Sequence, residues 1–257
     1  MEEKKKRIIM GLDVSTACIG VSIIIDDGTE YGKLMELTHI NPKVSSKIVG
    51  IEMLFLKNKI FRDFIVKYKN LEIDKVIIEE PLLRSNNANT VSTLLRFNGM
   101  VSQTVYEELG IVPEYISSYE AREYSFPEFM AIRKYGKNEQ KYPYKKIINE
   151  IENARLVLFG SYPWTIDKKT VIQDKVSEVF PDIEWLYNKK GELKKENFDA
   201  VDAYVAALGY MNKEKYGQLS FTIDNIKEIQ SEVNLEPSAV EYDVHYWDKV
   251  DHRKTFT

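Results

Sequence analysis

Between Arg7 and Ile40 the chain carries three runs that read only as strands, and this stretch constrains the fold more than any other. They are Arg7 to Val14, Ile19 to Ile25 and Lys33 to Ile40, and Val21-Ser-Ile-Ile-Ile25 concentrates β-branched side chains that suit a pleated surface. Asp26-Asp27-Gly28 supplies a turn between the last two. An antiparallel meander is therefore expected, and its apolar face needs a cover. From Val49 to Tyr68, Ile51, Leu54, Phe61, Ile65 and Tyr68 recur at helical spacing and form one apolar stripe, so a helix follows the meander.

Val76-Ile-Ile78 is a short buried strand bounded by Pro81. Val91, Leu94, Leu95, Val101, Val105 and Leu109 mark the next amphipathic helix, and Val112 to Ser117 a fifth strand. A meander followed by helix, strand, helix and strand predicts an α/β domain with a mixed five-stranded sheet flanked by helices, the order of an RNase H-like core. Residues 120–166 interrupt it with an aromatic and lysine-rich stretch carrying Pro127, Pro143 and Pro163, which reads as an insertion. Its rings, among them Tyr124, Phe126 and Phe129, are expected to form a small core of their own. Lys168 to Phe180 resumes helical spacing, Asn188 to Lys195 is a polar loop, and Phe198 to Met211 is an Ala-rich helix apolar on most faces. The domain thus runs over residues 1–212, with 213–257 a C-terminal extension.

At 257 residues, 44% hydrophobic and 30% charged, the chain has the balance of a packed globular protein rather than a disordered one. Its formal charge of −4 offers no global attraction to nucleic acid, so binding DNA requires lysines segregated onto one face. The lone Cys18 excludes an internal disulfide and a thiolate zinc cage. No apolar run reaches the roughly 18 residues of a membrane span. The polar start Met1-Glu-Glu-Lys-Lys-Lys lacks a signal-peptide core, so a cytoplasmic protein is expected.

Three separated segments place carboxylates where a sheet and a helix can converge. Asp13 lies in the first strand and shares a face with Gly11, Glu79 ends the short fourth strand, and Asp199 and Asp202 stand three apart on one helical face. Alternation aims only one of Glu79 and Glu80 at Asp13; Glu79 is preferred, with Glu80 the alternative. Clustered carboxylates repel unless cations neutralise them, and Mg²⁺ is a hard ion that takes oxygen ligands. Two ions about 4 Å apart would activate a water and stabilise a leaving oxygen in phosphodiester hydrolysis. In the extension, His245, Asp248, Asp251 and His252 fit neither one helical face nor one strand face and are read as surface chemistry.

Several short motifs in order resemble the RuvC-type Holliday-junction resolvases of the RNase H-like nuclease superfamily. They are Gly11-Leu-Asp13-Val-Ser-Thr with Gly20, Val76-Ile-Ile-Glu79, Asn87-Ala with Gly99, Asp167-Lys168 with Val171, and Asp199-Ala-Val-Asp202-Ala. The resemblance covers about residues 7 to 212. It implies a Mg²⁺-dependent endonuclease, with Mn²⁺ as a substitute, acting as a homodimer on four-way or otherwise branched DNA by paired nicks. It makes Asp13, Glu79, Asp199 and Asp202 the metal ligands and catalytic residues. Leu82 or Leu83 falls where the family places an apolar wedge. Candidate phosphate contacts are Arg84, Arg96, Lys168 and Lys175, with Lys134, Lys137, Lys141, Lys145 and Lys146 of the insertion. The insertion, the long extension and the acidic net charge depart from the family, and a phage or viral source, acting in a host cytoplasm, accommodates such additions.

Three rival readings stay open. Gly11-Leu-Asp13-Val-Ser-Thr also resembles the first phosphate loop of actin-like ATPases and sugar kinases, although no GxGxxG segment accompanies it. An RNase H-like RNA-processing nuclease would use the same acids. A catalytically inactive nucleic-acid-binding protein would keep the fold and lack turnover.

Overall fold

The computed structural model describes residues 6–81, 87–126 and 168–216. The chain divides into two compact units, one made of Met1–Ser125 with Gln173–Lys215, the other of Phe126–Ile172 with Tyr216–Thr257. The first unit holds the sheet. Its strands are β1 (Arg7–Val14), β2 (Ile19–Asp26), β3 (Lys33–Ile40), β4 (Lys75–Glu79) and β5 (Glu114–Ile116), in the order β3-β2-β1-β4-β5. β3, β2 and β1 are antiparallel neighbours, whereas β4 and β5 run parallel to β1. This is the mixed five-stranded sheet expected of an RNase H-like core.

The helices are α1 (Gly50–Ile65, continued by one 3-10 turn to Tyr68), α2 (Ala88–Leu109), α3 (Ser118–Ser125), α4 (Lys168–Val179) and α5 (Lys195–Tyr216). Strand alternation sends Met10, Leu12, Val14, Ile19, Val21, Ile23, Val76 and Ile78 to one face of the sheet, where they pack with residues of α1 and α2. Leu54, Phe61 and Ile65 of α1 and Phe97, Val101 and Val105 of α2 supply the opposing layer, all buried. α2 begins three residues before the first apolar position of its stripe. The Asn87 side chain accepts from the N–H groups of Asn89 at 3.0 Å and Thr90 at 3.3 Å, satisfying donors a helix start leaves open. At the far end Gly110, at φ +71°, takes the left-handed conformation that closes a helix without Cβ strain.

The other face of the sheet is covered by α5. Gly11 and Gly20 lie on that face, and a Cβ on either would collide with backbone: at Gly11 the carbonyl oxygen of Ala203, at Gly20 that of Asp199. Asp199 and Ala203 are one helical turn apart, so two glycines on adjacent strands form a track against which one edge of α5 lies. α5 is apolar nearly all round because it is enclosed nearly all round: Ala200, Val201 and every residue from Ala203 to Leu208 are buried. Its Tyr204 ring meets Phe180 edge to face at 5.5 Å, and the Tyr204 hydroxyl donates to Tyr31 O at 2.9 Å.

α3 departs from the sequence reading. Residues 120–125, assigned there to the start of the insertion, complete a helix that docks on α5. A Cβ on Gly209 of α5 would collide with the Ala121 backbone, Lys213 pairs with Glu120 at 2.5 Å, and Asn212 Nδ2 donates to Tyr124 O at 3.0 Å. Tyr124 accordingly belongs to the sheet-bearing unit, not to a separate insertion core. Among the described residues no helix is long and apolar enough to cross a membrane.

Candidate functional site

The four acids occupy definite places relative to the glycine track. Asp13 is in register with Gly20 across the β1/β2 ladder, and cross-strand partners share a face, so its half-buried carboxylate lies on the α5 side. β1 and β4 are neighbours, as convergence of Asp13 and Glu79 requires, with Gly11 beside Ile77 and Leu12 beside Ile78. The ladder ends there, and alternation puts the following residues, Asp13 and Glu79, on the α5 side of their strands. Glu80 falls on the opposite side, where it lines a cleft with Pro81, Leu95, Asn98, Gly99 and Tyr115. Asp199 arrives from the helix, its backbone against Gly20.

Three ties hold the first turn of α5 there besides the glycine contact. Asn41 Nδ2, just past β3, donates to Glu196 Oε1 at 3.3 Å. Asn197 exchanges two hydrogen bonds with the backbone of Leu186, accepting from its N–H at 3.1 Å and donating to its carbonyl at 2.8 Å. The Glu196 carboxyl sits below the usual carboxylate range, chiefly through its own backbone N–H.

The turn after Asp13 is equally tied. Ser15 Oγ accepts from the Cys18 N–H at 3.1 Å and donates to Cys18 O at 2.8 Å, folding residues 15–18 back on themselves. Lys57 of α1 donates its ammonium to Thr16 O and Pro42 O, both at 2.7 Å, and desolvation lowers its pKa. Asn98 Nδ2, buried in α2, donates to Leu94 O at 3.1 Å and reaches Val14 O at 3.5 Å. Cys18, buried beside the acids, has its thiol pushed well above the ordinary range by desolvation, then by its hydrogen bond to Asp199 and the charges of Asp199, Glu196 and Asp13.

Asp202 is placed differently. It is 4% exposed, and its Oδ1 faces Arg122 Nη2 of α3 at 3.4 Å. Among the described residues no three His, Cys, Asp or Glu side chains stand within reach of one metal ion. In chemistry the oxygen-only donor set suits a hard divalent cation. In spacing it is not assembled around one, and a guanidinium stands at its fourth member. Arg122, Lys57 and Asn98 were not picked out by sequence reasoning. A buried asparagine between Phe97 and Val101 was the one visible signal, a polar residue inside an apolar stripe.

Of the candidate DNA contacts, Arg96 is exposed on α2, and Lys175 is paired with Glu178 at 3.2 Å. Leu82, Leu83, Arg84, the insertion lysines Lys134 to Lys146 and the His245–His252 group lie outside the described residues, as does the side chain of Lys168.

Comparison with known proteins finds no matching family model and no matching curated protein. Among solved structures, the chain is similar to T. thermophilus RuvC in complex with Holliday junction substrate, with TM-score 0.49 at 10% identity over 82% of this chain and 96% of that one. A second Thermus thermophilus RuvC structure gives TM-score 0.47 at 13% identity with the same coverage. The Aquifex aeolicus PPX-GPPA enzyme gives 0.31 at 12% identity over 48% of this chain and 42% of that one.

Proposed function

We propose that this chain is a divalent-cation-dependent endonuclease that cuts branched DNA, four-way junctions above all, by paired nicks as a homodimer in the cytoplasm. The observation that carries the proposal is the register of β1, β2 and β4, which sets Asp13 and Glu79 on the face that α5 covers at Asp199. The order of motifs resembling the resolvases supports the choice of a branched substrate. Asp13, Glu79 and Asp199, with Asp202, would hold Mg²⁺ or Mn²⁺. Bound there, the cations would supply an activated water and stabilisation of the leaving oxygen.

The protein's own part is placement. Gly11 and Gly20 bring the helix backbone onto the sheet, and Ser15 and Lys57 fix the turn after Asp13. Arg96, with Leu82, Arg84, Lys168 and Lys175, would meet the DNA, the cations at its phosphates and Leu82 as an apolar wedge.

The test is incubation with Mg²⁺ and either a synthetic four-way junction or the matching linear duplex. Paired nicks in the junction alone, abolished by Asp13→Asn, are expected. Equal cutting of both removes the resolvase reading and leaves the nuclease. No cutting of either, with the protein folded, removes both. Sedimentation of the free protein as a monomer at micromolar concentration would overturn the homodimer.

A further inference from the structure

We infer that Arg122 is a resident counter-ion of the acid face, one that a divalent cation must displace from Asp202. The inference rests on the reading of the acids proposed above, and it starts from where that reading and the geometry part. Four carboxylates that would hold metal are not gathered around any single point. One of them is buried with a guanidinium beside it.

The placement of Arg122 is set by the helix that carries it. α3 is fixed to α5 through Ala121 on Gly209, Glu120 with Lys213, and Tyr124 O with Asn212. These three ties do not involve Arg122, yet they carry its side chain, 21% exposed, to Asp202. The contact itself is loose. Charge-assisted N–H···O bonds close to about 2.7–2.9 Å, and the 3.4 Å separation is a single long contact rather than a two-pronged clamp. Such a pair acts mainly through charge. It lessens the repulsion among acids when no cation is bound, and it is weak enough to yield when one arrives. Arg122 is therefore a positioning residue that sets how tightly the acids take a cation, and once displaced its guanidinium is available to a phosphate.

The sign of one measurement separates this role from two others. If Arg122 competes with the cation, removing it tightens cation binding; if it preorganises Asp202 for the cation, removal weakens binding. If it only braces α3, affinity stays unchanged. The experiment is a Mn²⁺ titration of the full chain freed of metal, with free Mn²⁺ read by its paramagnetic resonance signal, which needs no turnover. Arg122→Gln is expected to bind Mn²⁺ about five- to tenfold more tightly, the worth of a part-buried charge pair. Asp202→Asn added to it should cancel the gain. Unchanged or weaker binding by a folded Arg122→Gln overturns the inference and leaves the acid site standing. If neither protein binds Mn²⁺, the acid-site reading falls and takes the inference with it. Should Arg122→Gln not fold, the unaltered protein decides: the Arg122 Nε–H resonance, assigned with Arg122→Lys, must move on adding Mg²⁺. A resonance that stays still refutes displacement.

Discussion

Asp13 stands directly across the β1/β2 ladder from Gly20, and the vacancy where a Gly20 side chain would be is filled by the backbone of Asp199. The segments that carry a strand acid and a helix acid thus meet where a methyl group is missing. Gly20→Ala should force α5 off the sheet, costing about 1–3 kcal/mol as overpacked cores do. Urea unfolding would read the loss, and Gly11→Ala, which meets the Ala203 carbonyl, should behave alike. Wild-type stability in both would mean the helix does not lie on this track.

Glu79 and Glu80 are adjacent in sequence and opposite in space. With the junction assay in place, Glu79→Gln should reduce the cleavage rate at least about a hundredfold, as loss of a metal ligand does. Glu80→Gln, on the cleft side, should stay within about threefold, in the manner of a surface substitution. The reverse ranking would place the ligand on the other face and shift the β4 register by one residue.

Lys57 ties two loops to α1 with two short hydrogen bonds. Lys57→Met keeps the aliphatic stem and removes both bonds, leaving the Thr16 and Pro42 carbonyls without this donor; a loss of about 1–3 kcal/mol is expected. Amide hydrogen exchange at residues 15–18 should accelerate alongside the drop in denaturation midpoint. Unaltered exchange would show that Ser15 alone suffices to hold the turn.

Cys18 is the chain's only cysteine, which makes its chemistry easy to read. Burial and the Asp199 carboxylate disfavour the thiolate, so the folded pKa lies above the unfolded one. Near pH 8, where an ordinary thiol of pKa about 8.5 is partly ionised, the native protein should not react with a disulfide reagent, whereas the urea-unfolded chain should release one equivalent. Above that range the unfolded chain ionises and the folded one does not, so this group's share of stability declines as pH rises. Rapid reaction of the native thiol would contradict the packing at the start of β2.

The sheet was readable from residues 7 to 116 because each strand is short, apolar and bounded by turn residues, and the local pattern there agrees with the tertiary order. α2 starts three residues ahead of its first apolar position, Val91, because Asn87 caps it there, a signal carried by a side chain rather than by periodicity. α3 was missed for a different reason. Its sequence, Ser-Tyr-Glu-Ala-Arg-Glu-Tyr-Ser, has no long apolar face, and it is a helix because Gly209 gives it a place to lie. The acids could be named one by one, and the sharing of a face by Asp13 and Glu79 follows from register. The pairing of Asp202 with Arg122 joins residues 80 positions apart through a helix the pattern did not show, and no spacing rule reaches it.

The glycine track also sets a timetable. A ribosome delivers Asp13 and Glu79 early, but the stretch that lays Asp199 onto Gly20 emerges some 120 residues after Glu79, and until then the track lies bare. An unfinished chain accordingly has the sheet but no docked helix, and every fragment that stops short of α5 leaves that face of the sheet uncovered.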